Sequence, residues 1–494
     1  MDSTEGVMRG LMDAAGLPGA LADRAVVTGA EPVLESPDQP ARVAAAVLGA
    51  QGAVLSAILE ARGGGVRRAS IGVGAAGLAL RSVMLQTLWG RPIALTEPDY
   101  PTVAIYGTRD GRFIMLNGGY PRLREGLLRL LRCADDVLAL TAAVAAHDAF
   151  ELEDAIAANG LCGVMVRTGE EWRAHPQGAA LAGVPVVELV RIGDASPVPF
   201  RPLPGRGGAG PGEGGLGAQV GGNQGGGNQV GGDRVLAGVR VLDLTHVIAG
   251  PTCAKSLAEH GAEVLHVYGP QRPQLPPFDM DTGHGKRSAF LDITAPKDNA
   301  DLLALVDGAD VFSQSYRPGR LAAHGLSPER LARRRPGLIY VSTSCYGHAG
   351  PWHLRPGFEQ LAQAATGMAV RLGSADAPLL TSQVAAPYYP NDYVTGFLAA
   401  FGTLAALLRR AEEGGSWHVR VSLCRTAMMI GEGGARPPGP LVPLPEEPLM
   451  QTMRAPNGEL RFLGPVLQLE GVRSGWDLPP VPLGADAPRW DGDS

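Results

Sequence analysis

After a run of glycine, asparagine and glutamine at 205–232, short apolar stretches alternate with helical ones, and this alternation constrains the fold more than any other feature. Residues 239–244, 264–267, 310–312 and 338–342 read as strands; 251–259, 298–306 and 328–334 read as helices. Strands joined through helices imply a parallel sheet covered on both faces. A long Ala-rich helix is expected at 394–410, closed by Gly414 and Gly415. The fold class expected is therefore α/β, with a Rossmann-like parallel sheet and a second, smaller α/β unit.

The Gly-rich tract has almost nothing to bury, so 205–233 is expected to be a flexible linker between residues 1–204 and 234–494. A faint repeat crosses it. An apolar helix, a glycine break and a short strand at 43–71 echo the same series at 398–423. No acid in the first copy matches Asp392 of the second.

Composition removes several function classes. A net charge of -6 and 5% aromatics give no basic stripe of the kind that binds nucleic acid. Five scattered cysteines, never spaced as CxxC, exclude a disulfide framework and a zinc ribbon. No metal is expected. The cysteines suit a reducing compartment, and residues 1–10 lack a basic, apolar leader, so the expected address is the cytoplasm. The longest apolar helical stretch, 396–408, is too short to span a bilayer, and no membrane role is expected.

Asp392, in Tyr389-Pro390-Asn391-Asp392-Tyr393, is the leading candidate for chemistry. At the mouth of the Ala-rich helix it is suited to be an N-cap. The same helix end favours an ionised carboxylate, which can attack a thioester carbonyl. His246 follows the first strand, and Ala249-Gly250-Pro251 lets backbone approach a ligand closely before a helix begins. A rival motif, Gly72-Val73-Gly74-Ala75-Ala76-Gly77 with Glu97 further on, has the dinucleotide-binding layout. The strand before it carries Arg67 and Arg68, which a buried parallel strand does not favour.

The run from Val239 to Gly261 resembles the opening of the class III coenzyme A transferases, the family of formyl-CoA and carnitine-CoA transferases and α-methylacyl-CoA racemases. The resemblance continues through Gly285-Lys286-Arg287-Ser288, Tyr316-Arg317-Pro318-Gly319, Tyr346-Gly347, Gly357-Phe358 and Asp392. Tyr106-Gly107-Thr108 with Asp110-Gly111, and Glu170-Glu171-Trp172 with His175-Pro176, resemble the family's later half. The family pieces thus stand in swapped order.

The resemblance implies a CoA transferase that moves coenzyme A between carboxylic acids through an aspartyl-CoA thioester on Asp392. CoA would be a cosubstrate, with no permanently bound cofactor. His246, Ala249, Gly250, Lys286, Arg287, Arg317, Arg320 and Arg355 are the expected CoA contacts. A homodimer of interlocked rings is also implied. Three departures bear on the reaction. Phe358 stands where the racemases carry a catalytic histidine, which disfavours racemisation. Ile248 replaces a glutamine of the formyl-CoA branch, and Ala323 replaces a CoA-holding arginine, with Arg320 nearby. A non-catalytic CoA-binding member and an NAD-dependent enzyme are the alternatives.

Overall fold

The computed structural model describes residues 3–93, 100–203, 234–444 and 446–492. The expected linker and Glu97 lie outside these residues. At the centre is a seven-stranded sheet, numbered here in chain order: β1 (Glu188–Gly193), β2 (Arg240–Leu244), β3 (Glu263–Tyr268), β4 (Lys286–Phe290), β5 (Val311–Gln314), β6 (Ile339–Ser344) and β7 (Ser416–Ser422). The spatial order is β4-β3-β2-β5-β6-β7-β1. All neighbours run parallel except β1, which closes the edge antiparallel to β7.

The strand sequences explain this placement. Val241, Val264, Val311 and Ile339 point to one face, and Leu242, Leu265, Phe312 and Tyr340 to the other, each set joining a different core. A strand buried on both faces needs apolar residues at adjacent positions, as these pairs supply. Because β1 precedes the Gly-rich tract and β2 follows it, the two parts of the chain share one sheet.

Four helices matter for the site: α1 (Pro40–Ala61), α2 (Ala249–Glu259), α3 (Glu359–Ala365) and α4 (Pro390–Glu413). Helix α4 packs on both α1 and α2. Its approach to α2 is tight at Gly396, where an added Cβ would lie 2.5 Å from Thr252 Cβ and 2.6 Å from the Ala249 carbonyl oxygen. Helices α1 and α4 are each long and apolar enough to cross a membrane, contrary to the shorter stretch expected, but both are buried as core helices.

The repeat is visible as structure. Helix α1 leads to a strand at Ala69–Gly72 and a helix at Val73–Ala79; helix α4 leads to β7 and a helix at Leu423–Glu432. The GxGxxG run thus opens a helix after a strand, but Gly77 packs against Val33 and Ala41, and Gly74 faces Leu444. The chain's own side chains stand against both glycines, where close approach of a pyrophosphate would need open backbone.

The smaller α/β unit is a three-stranded antiparallel sheet, Val103–Gly107, Phe113–Asn117 and Gly163–Met165. Helices Pro121–Leu131, Val137–Val144 and Ala149–Ala158 bury Leu127, Leu140 and Ile156 against Tyr106, Ile114 and Leu116. One end of this unit borders the site described next.

Candidate active site

The carboxyl ends of β2, β5 and β6 and the amino ends of α2 and α4 converge, which is where open α/β sheets place ligands. Asp392 occupies the third position of α4, 7% exposed, and lines two small cavities of about 80 and 70 Å³. The smaller is bounded by His246, Ala249, Gly250, Ser315, Cys345 and Phe358. The larger is bounded by Val103, Tyr120, Ile248, Leu275, Phe278 and Phe358, with Glu359 at its wall.

Asp392 is not the N-cap. Tyr389 holds that position without a side-chain cap bond, and the cap comes from across the fold. The Glu359 carboxylate on α3 accepts from the backbone N–H groups of Asn391 (3.3 Å) and Asp392 (2.6 Å). It also accepts from Asn391 Nδ2 (2.9 Å) and Gln363 Nε2 (2.7 Å). The Asp392 carboxylate makes no hydrogen bond among the described residues. Glu359 was not singled out in the sequence; only its place beside Phe358 offered a hint.

The electrostatics of Asp392 differ from the expectation. A helix amino end favours ionisation, but burial, and then the neighbouring charge of Glu359, push its carboxyl well above the usual carboxylate range. Burial also raises Glu359, to about 7, while its four hydrogen bonds pull the other way. The two carboxyls therefore titrate as a pair that retains a proton near neutral pH.

His246 is neutral. Burial and then Arg272 press its pKa down to about 3, and its Nδ1 meets Ser315 Oγ at 3.1 Å. The next residue, Val247, has φ 72°, a left-handed conformation that costs a β-branched side chain strain and directs this turn into both cavities.

The remaining expected contacts divide. Arg317 is half-buried two residues beyond Ser315; burial, and then the charge of Arg320, lower its pKa, with Arg122 adding to the effect. None of these three arginines has a carboxylate partner among the described residues. Lys286 lies elsewhere, 2% exposed, with Nζ donating to Asp243 Oδ2 and to the Pro251 carbonyl, both at 2.9 Å. Arg287 pairs with Glu263 and Asp491. Arg355 pairs with Asp154 and stacks over Trp352. These three do not line the crevice beside Asp392.

Residues 236–434 match the family model described as CoA-transferase family III. This part of the chain belongs to CoA-transferase family III. Among relatives of the family, an acetyl-coenzyme A transferase, nodX, of Hypoxylon pulicicidum is 38% identical over 38% of this chain and 32% of its own length. An acyl-CoA transferase of Gibberella moniliformis is 30% identical over 68% of this chain and 58% of its own. The crystal structure of Rv3272 from M. tuberculosis aligns at 32% identity and a TM-score of 0.38, over 40% of this chain and 57% of that one. The chain thus spans between 32% and 58% of the lengths of these family members.

Proposed function

We propose that the chain is a CoA transferase that exchanges coenzyme A between carboxylic acids, with Asp392 as the nucleophile. The observation that carries this reading is that Glu359 caps α4, which leaves the Asp392 carboxylate unengaged and facing two cavities. A carboxylate used only to tie off the helix would be hydrogen-bonded to it.

In the proposed reaction Glu359 keeps its charge on its four N–H donors, and Asp392 attacks the acyl-CoA carbonyl as the carboxylate once it has given up its proton. The oxyanion forms near the backbone N–H groups of Ala249 and Gly250, at the amino end of α2. Collapse breaks the C–S bond and yields an aspartyl–acyl anhydride and CoA thiolate. The thiolate then attacks the aspartyl carbonyl, releasing the first carboxylate and leaving an aspartyl-CoA thioester. The acceptor carboxylate repeats the sequence in reverse. It attacks that thioester to form a new anhydride, and the thiolate cleaves this to the new acyl-CoA and free Asp392.

Arg122, Arg317 and Arg320 supply positive charge for CoA phosphates beside the crevice. His246, kept neutral, orients the turn through Ser315. The apolar walls of the larger cavity (Val103, Ile248, Leu275, Phe278 and Phe358) favour a short apolar acyl group.

The test is incubation with acyl-CoA followed by peptide mass spectrometry, with exchange into a labelled carboxylate measured in parallel. A CoA adduct on Asp392 is expected. The Asp392→Ala variant should lose exchange and keep CoA binding; undiminished exchange in that variant would remove the mechanism.

A further inference from the structure

A further recess borders the opposite end of the sheet. A cavity of about 500 Å³ lies at the amino ends of β2, β3 and β5 and the carboxyl ends of α1 and α4. Asp392 and Arg410 stand eighteen residues apart on α4, which puts this cavity about 27 Å from the nucleophile. It is therefore separate from the crevice described above.

Its lining is cationic. Arg62, Arg201, Arg240, Arg335 and Arg410 line it with two carboxylates, Glu263 and Asp310, among the described residues. Arg410 pairs with Asp310 at 2.9 Å and Arg240 with Glu263 at 3.1 Å. Glu263 is shared, since Arg287 also reaches it at 3.0 Å. The remaining arginines meet carbonyls or nothing. Arg62 donates to the Val235 and Ala237 oxygens at 2.8 and 2.9 Å, and Arg335 Nε to the Ala309 oxygen at 3.0 Å. A carbonyl satisfies an N–H group without cancelling the charge behind it. Arg201 is exposed and has no carboxylate partner among the described residues.

The volume lies in the range of small-molecule sites.

We propose that this cavity binds a small multivalent anion of up to nucleotide size, held through phosphate or carboxylate oxygens by the arginines. The experiment is calorimetric titration of the full chain with inorganic pyrophosphate, ATP and citrate in separate arms. Saturable binding in at least one arm is expected. Phosphate and carboxylate chemistry are separated by which arms bind.

Arg201→Ala with Arg335→Ala should weaken binding by about tenfold or more, the scale of losing charge-assisted hydrogen bonds. Arg201→Ala alone, which removes no hydrogen bond or ion pair among the described residues, should weaken it less, and it guards against misfolding of the double variant. Arg317→Ala with Arg320→Ala should leave binding intact and so exclude the CoA phosphate contacts as the source. Absence of saturable binding in all three arms would overturn the proposal. So would unchanged affinity in Arg201→Ala and its double variant, or loss of binding in the Arg317/Arg320 variant.

Discussion

Glu359→Ala tests the arrangement that frees Asp392. The substitution removes one carboxylate and leaves four donors without their acceptor: the backbone N–H groups of Asn391 and Asp392, Asn391 Nδ2 and Gln363 Nε2. Each buried unsatisfied donor costs about 1–3 kcal/mol. Water entering the adjoining cavity of about 80 Å³ can rescue some of them. A loss of about 3–5 kcal/mol is therefore expected, read as a lower urea midpoint. Glu359→Gln keeps an oxygen for the Asn391 and Gln363 donors but turns an NH2 toward the Asp392 N–H group, so a loss of about 1–2 kcal/mol is expected.

The two substitutions also separate capping from chemistry. Glu359→Gln removes the like charge that helps hold Asp392 protonated, so the acid limb of kcat/KM should move to lower pH. A purely structural cap would lower the midpoint and leave the limb in place. A Glu359→Ala protein as resistant to urea as wild type would refute the claim that this carboxylate caps α4.

Gly396→Ala should force α4 away from α2, costing about 1–3 kcal/mol in urea denaturation and lowering exchange by displacing Asp392 from His246. Lys286→Met should cost about 3–5 kcal/mol because it leaves Asp243 charged and buried, and adding Asp243→Asn should restore much of that; no recovery would mean the pair is not the cause. Stability should peak at mildly acidic pH. Burial lowers His260 and His284 to about 3 and His418 to about 2, so each favours the folded state above pH 6.5 and costs about 1.4 kcal/mol per pH unit as pH falls below it. Burial raises Asp279 to about 6, Glu359 to about 7 and Glu259 to about 8, so these groups favour the folded state at low pH and lose that contribution as pH rises through those values. They offset only part of the histidine loss, because burial also lowers His246 to about 3 and His348 to about 4; stability should fall below pH 6.5 and more steeply below about pH 4.5, and urea midpoints rising steadily to pH 9 would contradict this.

The parallel strands were legible from adjacent apolar residues, which a doubly buried strand needs on its two faces; residues 239–244, for example, contain β2 at Arg240–Leu244, with Val241 and Leu242 at its centre. Helix α4 starts four residues earlier than expected because Pro390 suits the first helical turn. What could not be read locally was pairing at a distance. Lys286 was expected to contact CoA beside Arg287, but β3 lies between β4 and β2 and the lysine reaches Asp243 on β2. The cap on α4 comes from a residue 33 positions away, so the local sequence could suggest only Asp392 for the role. The edge strand β1 joins the sheet from before the Gly-rich tract, and an antiparallel edge leaves no signature in its own six residues.

The internal repeat separates what the scaffold needs from what the chemistry needs. Both α1 and α4 open on proline, and both are capped from outside by a glutamate. Glu31 accepts from the N–H groups of Ala41 and Arg42 at 3.0 and 3.1 Å, as Glu359 does from those of Asn391 and Asp392. A remote carboxylate on the helix amino end is thus common to both copies and is required by the unpaired N–H groups there, whatever the third residue is. That third residue is where the copies part. Arg42 donates to the Gly433 carbonyl at the end of the helix Leu423–Glu432 and stitches the first copy to the second. Asp392 has no such duty. Because the same cap serves a helix with arginine at this position, the aspartate is not needed for the helix to start. Its identity is free to answer to the cavities it faces.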